Sequence, residues 1–222
     1  AVFSLLFRDF EGGGKYSPFI REKVIQYQPD ASKEFLRIIT RDELKTILAE
    51  QALIQSGIAE NDYVEMSKLS GADHILGASV LTNYKSPEKV VKKNIPQQKE
   101  VTVRTETYVD SLGNEKKKKI KAKVTAAVNH FKKSSEASMT LTYKIVDVNN
   151  NNILFNGSVS SRQTYFHEWA TYKGDKRALS GKFSRLIRRE EGFAPSEDKL
   201  FQSALESLSK KLSQKISQHY RD

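Results

Sequence analysis

Residues 40–80 have the sequence TRDELKTILAEQALIQSGIAENDYVEMSKLSGADHILGASV, and this stretch decides the fold. Thr40 and Glu43 match a capping box, in which each side chain satisfies a free backbone amide at the start of a helix. Apolar residues then recur at helical spacing: Leu44, Ile47 and Leu48. Gly57 is suited to end this helix because glycine readily adopts a left-handed backbone conformation. The first half of the stretch therefore predicts an amphipathic helix.

A second helix and a strand are predicted in the rest of this stretch. Residues 61–69 favour a short helix, and Gly71 would end it in the same left-handed conformation. Residues 74–81, HILGASVL, predict a buried strand because they form a short apolar run between turn residues. The order helix, helix, strand predicts one layer of helices on a sheet.

The rest of the body continues this pattern. Residues 2–7 and 35–39 predict strands, with a helix from Ser17 to about Tyr27 between them. Residues 137–161 predict two further strands joined by a turn. The alternating residues of the first of these are Met139, Leu141, Tyr143 and Ile145.

A long amphipathic helix is predicted to close the chain. Ser196 is its expected N-cap, and two acidic residues follow in the first turn, where the helix dipole favours them. Its apolar stripe consists of Leu200, Phe201, Ala204, Leu205, Leu208, Leu212 and Ile216. Stripes with this spacing form part of a hydrophobic core far more often than they anchor a protein to a membrane.

Most of the net charge of +10 lies in one segment, residues 85–133. This segment has 14 basic and 5 acidic side chains and so contributes +9, which leaves the rest of the chain close to neutral. Residues 86–98 predict a loop because they contain two prolines and several lysines. Residues 100–109 and 116–128 alternate as two strands around the turn DSLGN at 110–114. The segment therefore predicts a basic β-hairpin inserted into the body.

The cationic side chains of this hairpin are the predicted binding residues for an anionic partner. They are Arg104, Lys116, Lys117, Lys118, Lys119, Lys121 and Lys123. A localised basic patch indicates an anionic partner more strongly than a uniformly basic chain does. The alternative is that the lysines only protect an exposed strand from aggregation.

Residues 165–195 are predicted to be an irregular, aromatic-rich segment without sustained alternation. Within it, residues 178–189 are more typical of a helix. His167, Trp169 and Tyr172 are predicted to contact a partner, since aromatic side chains concentrate at binding hot spots. The alternative for His167 and Trp169 is packing of a loop against the core.

The sequence contains no recognisable catalytic or metal-binding pattern. There is no cysteine, and the four histidines are scattered along the chain. His167 and Glu168 begin like the zinc motif HExxH, but Thr171 occupies the position of the second histidine. We therefore predict no catalytic residue, no metal and no cofactor. An enzyme would require residues that are distant in sequence to converge in space.

Several of these segments resemble the CsgG-like family of bacterial envelope lipoproteins, which is related to LpoB and to the N-terminal domain of TolB. The likeness lies in IITRDELKTILAEQ, SKLSGADHILGASV and LTYKIVDVNNNNILFNGSVS, and it covers most of the chain outside residues 85–133. It implies an α/β (α+β) fold with helices packed on a mixed β-sheet, similar to an anticodon-binding domain. We expect a single domain over residues 1–222, from which the basic β-hairpin extends.

The resemblance implies a non-enzymatic periplasmic protein, anchored to the outer membrane, that acts as an assembly, secretion or interaction module. Because residues 2–7 already predict a strand, we expect the natural N-terminus and a membrane tether to precede Ala1. The implied partner is an envelope protein or another anionic envelope component. The resemblance is also compatible with a homo-oligomer.

Two other functions remain as alternatives. In the pore-forming members two hairpins per subunit become transmembrane strands, whereas here one hairpin is rich in lysine and no second hairpin is predicted. Nucleic-acid binding through the basic hairpin is the other alternative. The scarcity of aromatic side chains for base stacking argues against it.

Overall fold

The computed structural model describes residues 2–8, 10–12, 14, 16–39, 43 and 71–221. Apart from Glu43, which is helical, the two helices predicted between residues 40 and 69, including the end of the first at Gly57, lie outside the described residues. Gly71 has a φ angle of +68°, which is the left-handed conformation predicted for it.

Five strands form one open sheet, and the mixed β-sheet that the family resemblance implies is confirmed. They are β1 (Phe3–Phe7), β2 (Leu36–Ile39), β3 (His74–Val109), β4 (Glu115–Asp147) and β5 (Ile153–Gly174), in the order β2-β1-β3-β4-β5. Strand β1 lies parallel to both β2 and β3. Leu5, Leu6 and Phe7 are each at most 1% exposed, as expected for a parallel strand that is covered on both faces.

The described helices are α1 (Tyr16–Gln26), α2 (Asp30–Lys33), α3 (Gly181–Leu186) and α4 (Glu197–His219). All seven residues of the apolar stripe predicted for the last helix are buried. They pack with Ile20 and Val24 of α1 and with residues Met139, Leu141 and Ile145 of β4. None of the helices within the described residues is long and apolar enough to cross a membrane.

The loop predicted at residues 86–98 is wrong, because strand β3 continues through these residues. Among the described strands, β1 is the neighbour of β3 on one side and ends at Phe7, so the later part of β3 has only β4 beside it. An edge strand tolerates proline because one row of its backbone amides needs no partner in the sheet. Pro87 and Pro96 therefore lie within a strand although they predict a loop.

The segment 165–195 is more regular than expected. Strand β5 runs to Gly174, and a short 3₁₀ helix (Lys176–Ala178) and α3 follow it. The helix predicted at 178–189 is present but covers only Gly181–Leu186. In β5 both Trp169 and its neighbour Ala170 are buried. This breaks the alternation of buried and exposed residues on which a prediction from sequence depends.

Contacts divide the chain into two compact units. Unit 1 comprises Ala1–Ser86, Glu136–Gln163 and Glu197–Asp222, and unit 2 comprises Pro87–Ser135 and Thr164–Ser196. Each unit has its own hydrophobic cluster, and Val128, Ala170 and Phe183 belong to that of unit 2. The expectation of a single domain with an inserted hairpin stays a prediction.

Candidate partner-binding surface

The predicted hairpin is present, and its tip belongs to unit 2. Strands β3 and β4 are joined by a turn in which the amide of Asp110 donates to the carbonyl of Asn114 at 2.9 Å. Residues 102–109 and 111–119 are all exposed. We call residues 99–123 the basic arm. Both faces of its outer half are therefore accessible to a partner.

The cations of the basic arm differ in their pairing. Lys116 contacts Asp110 at 2.8 Å, Lys121 contacts Glu100 at 3.4 Å, and Arg104 contacts Glu106 at 2.5 Å. The other five lysines of the arm form no ion pair with any described residue, and four of them follow the turn at its tip: Lys117, Lys118, Lys119 and Lys123. These four exposed charges lie within seven consecutive residues. The arm therefore presents a dense positive charge that its own acidic residues do not neutralise.

The turn at the tip is held by Asp110. One oxygen of its carboxylate, Oδ1, accepts hydrogen bonds from the amides of Leu112 and Asn114, both at 3.0 Å. The other oxygen, Oδ2, contacts Nζ of Lys116 at 2.8 Å. The hydrogen bond from Lys116 is the largest cause that lowers the pKa of Asp110, and the bond from the amide of Asn114 lowers it further. Asp110 therefore remains ionised and keeps the tip in one geometry.

Apolar side chains are also exposed on the arm. Val103 is 44% exposed, Tyr108 49%, Val109 64% and Leu112 83%. Near the base of the hairpin, by contrast, Ala126 and Val128 are buried. The outer arm thus combines lysines with accessible apolar surface, a mixture that suits a partner contact better than a purely solubilising role does.

The three aromatic residues predicted to contact a partner lie on β5. The Trp169 ring is only 7% exposed and stacks on Phe131 with 5.1 Å between ring centroids. His167 stacks beside Trp169 at 5.8 Å, and its Nε2 lies 2.9 Å from the backbone oxygen of Glu190. Tyr172 is 38% exposed. The contacts of His167 and Trp169 are within the chain, as in the packing alternative, and a partner contact by all three stays a prediction.

A buried lysine beside Trp169 was missed from the sequence. The side chain of Lys133 is 6% exposed, and its Nζ lies 2.7 Å from Glu191 and 3.2 Å from Glu88. The same ammonium lies 5.6 Å from the centre of the Trp169 ring. The hydrogen bond to Glu191 is the largest cause that raises the pKa of Lys133. These contacts connect β3, β4 and the chain after α3 within unit 2.

His130 and Glu168 form a second cluster that was not predicted. His130 is 4% exposed, and its Nε2 lies 3.5 Å from a carboxylate oxygen of Glu168 without a hydrogen bond. Burial is the largest cause that lowers the pKa of His130, and Glu168 partly opposes it. Burial would raise the pKa of Glu168, but a hydrogen bond from Lys132 helps to lower it overall. His130 and Lys132 are two residues apart, but Glu168 is distant from them in sequence, and no motif that would have revealed this cluster joins the three.

Comparison with known proteins gives one family. The family model described as "Curli production assembly/transport component CsgG" matches residues 30–220. No curated protein matches the chain.

Three solved structures are similar to the chain at low identity. The hypothetical protein CT253 from Chlamydia trachomatis has 10% identity and a TM-score of 0.42, with coverage of 99% of this chain and 98% of that one. Lipoprotein GNA1162 from Neisseria meningitidis has 12% identity and a TM-score of 0.34, with coverage of 84% and 93%. A PelC dodecamer from Paraburkholderia phytofirmans has 11% identity and a TM-score of 0.32, with coverage of 96% and 88%.

Proposed function

The chain belongs to the CsgG family, and we propose that it is a non-enzymatic assembly, secretion or interaction module of the bacterial cell envelope. The match over residues 30–220 is the observation that carries this proposal, because it spans the segments from α2 to α4. The proposed location is the periplasm, with an anchor in the outer membrane. Self-association into a homo-oligomer belongs to the same proposal.

The basic arm is the proposed contact surface for an anionic envelope component. After the turn at its tip it carries four exposed lysines that form no ion pair with any described residue: Lys117, Lys118, Lys119 and Lys123. Charges on exposed strands attract an anionic surface over about one Debye length, which is ~8 Å at physiological salt. Exposed apolar residues beside the lysines, such as Val109 and Leu112, add surface that a partner could cover.

The test is charge reversal along one face of the arm, in the variant Lys117/Lys119/Lys121/Lys123→Glu. Sedimentation with phosphatidylglycerol vesicles and with purified peptidoglycan sacculi measures association with two anionic envelope components. We expect the chain to associate with at least one of them, and the variant to bind at least about tenfold more weakly because the reversal of four charges lowers the net charge by eight units.

A matched control reverses four exposed lysines of unit 2 outside the arm: Lys89, Lys93, Lys173 and Lys176. The control changes the net charge by the same amount as the arm variant. If the arm has a specific role, the control should bind the envelope components more tightly than the arm variant does. Equal binding by the arm variant and the unmodified chain would remove the arm from the proposal. Binding to duplex DNA that exceeds binding to both envelope components would favour the nucleic-acid alternative, and its affinity would fall steeply with salt.

A further inference from the structure

A cleft in unit 1 shares no residue with the basic arm. Its volume is about 510 Å³, within the range of small-molecule sites, which is roughly 300–1,000 Å³. Residues 29–35, strand β5 and the last turns of α4 line it. None of the described lining residues is acidic, whereas three are basic: Lys211, Lys215 and Arg221. The cleft therefore carries an excess positive charge on a body that is otherwise close to neutral.

The wall of the cleft is formed by ordered, buried groups. Ser32 is 2% exposed and Ser217 is 8% exposed, and the hydroxyl of Ser217 donates to that of Ser32 at 3.2 Å. The Ser32 hydroxyl in turn donates to the carbonyl oxygen of Pro29 at 2.7 Å. Val159, which is 5% exposed, adds apolar surface from β5. These contacts hold α2, β5 and α4 around a preformed space.

The cations at the rim remain available to a ligand. Nζ of Lys211 donates to the backbone oxygen of Ser160 at 2.7 Å, which places this ammonium at the edge of β5. Lys215 and Arg221 form no ion pair with any described residue. Asp30 is next in sequence to the lining residue Ala31, but it already pairs with Lys33 at 2.7 Å. Within the described residues, the lining of the cleft thus has three positive charges and no acidic side chain to neutralise them.

We propose that this cleft binds a phosphomonoester. A phosphomonoester carries close to two negative charges at neutral pH and three acceptor oxygens, so it can engage several ammonium and guanidinium donors together. A monoanionic carboxylate would leave more of the positive charge uncompensated. Phe35 and Val159 offer apolar surface to the organic part of the ester. The phosphate group can belong to a soluble metabolite or to a lipid headgroup, and the test separates these two sources.

The experiment is calorimetric titration of the full chain with glycerol 3-phosphate, inorganic phosphate and uncharged glycerol. We expect heat of binding with glycerol 3-phosphate, weaker binding with inorganic phosphate, and none with glycerol. Sedimentation with phosphatidic acid vesicles, with and without excess glycerol 3-phosphate, tests the lipid source. Competition by the soluble ester would assign the vesicle contact to the same cleft, and vesicle binding without competition would assign it elsewhere.

The variant Lys215→Glu/Arg221→Glu is expected to weaken binding of glycerol 3-phosphate at least about tenfold. Lys210→Glu is the control, because Lys210 is an exposed residue of the same helix that does not line the cleft. Reversal of the four arm lysines should leave this binding unchanged, which separates the cleft from the proposed function. Absence of binding by the unmodified chain, or equal loss in the Lys210 control, would overturn the proposal. Circular dichroism confirms that each variant is folded.

Discussion

His130 is a buried imidazole for which protonation is unfavourable in the folded chain. It is 4% exposed, packs edge-on against Phe183 and has no hydrogen-bond partner for Nε2. Burial lowers the pKa of His130 below its ordinary value of about 6.5. The nearby carboxylate of Glu168 opposes this effect, while Lys182 and Lys132 reinforce it. The folded chain therefore takes up this proton at a lower pH than the unfolded chain does.

The free energy of unfolding should fall as the pH drops below about 6.5. In that range the unfolded chain binds a proton at His130 that the folded chain does not, at a cost of up to about 1.4 kcal/mol per pH unit until the folded pKa is reached. The variant His130→Gln should lose the part of the pH dependence of unfolding that comes from this proton. Urea unfolding between pH 5 and pH 8, followed by fluorescence of Trp169, the one tryptophan of the chain, measures it.

Some pH dependence should remain in this variant, because burial also lowers the pKa of His74 in unit 1. In the double variant His130→Gln/His74→Gln, the free energy of unfolding should therefore depend less on pH than it does in either single variant. If His130→Gln and the unmodified chain gave the same slope, protonation of His130 would not differ between the folded and unfolded states.

At the scale of residues, the sequence predicts burial well where side-chain type and period agree. Met139, Leu141, Tyr143 and Ile145 alternate in sequence and are all buried. Lys133 is buried as well, but a lysine that follows another lysine is typical of an exposed position. Its burial depends on Glu88 and Glu191, which are distant in sequence. No local pattern contains that information.

Among the elements, the three long strands show where prediction from sequence succeeds and fails. The hairpin turn at 110–114 and the last helix were predicted because turn chemistry and helical period are local signals. Strand β3 is 36 residues long, whereas strands average about 5–6, and prolines led us to end it early. Helix α2 has four residues, too few to show a helical period. The length of a long edge strand and the position of a very short helix depend on contacts with neighbouring elements, which local sequence does not encode.

Strand β5 ends at Gly174 for a steric reason that gives a testable prediction. Gly174 has a φ angle of +118°, and a Cβ atom there would lie 2.6 Å from the carbonyl oxygen of Thr125. Backbone strain and this clash should make Gly174→Ala less stable by about 2–4 kcal/mol. Urea unfolding measures the difference.

Gly181→Ala is the control for this prediction. A Cβ atom at Gly181, the first residue of α3, meets nothing within 4 Å. Its stability should change by less than about 1 kcal/mol. Equal effects of the two substitutions would show that the conformation at Gly174 does not require glycine.

The whole chain combines a basic unit 2 with a unit 1 that has its own core. Leu5, Leu76, Leu141, Leu208 and Ile216 belong to one cluster within unit 1, and each is at most 1% exposed. The sequence predicts the basic insertion from local signals, which are the charge of residues 85–133 and the alternation of two strands around a turn. It did not predict that residues 164–196 belong to the same compact unit, because that association depends on contacts between distant segments.

The points at which unit 2 leaves unit 1 lie close to one another. The amide of Glu136 donates to the hydroxyl of Ser86 at 3.0 Å, and the carboxylate of Glu136 accepts from Arg162 at 2.6 Å. Lys85 contacts Asp198 at 2.5 Å. Short Gly-Ser linkers can therefore replace residues 87–135 and 164–196 without distorting the backbone of unit 1.

We expect the excised chain, which retains unit 1 only, to fold by itself. Its hydrophobic cluster contains no residue of unit 2, so removal of unit 2 takes no side chain from this core. Thermal unfolding followed by circular dichroism should show one cooperative transition with the helical signal of α4. The same excision combined with Leu208→Ala should lower the midpoint clearly, because a fully buried leucine contributes about 2–5 kcal/mol. A gradual transition in the excised chain, unaffected by Leu208→Ala, would mean that unit 1 needs unit 2 to form its packed core, and the prediction of a body with an insertion would be wrong.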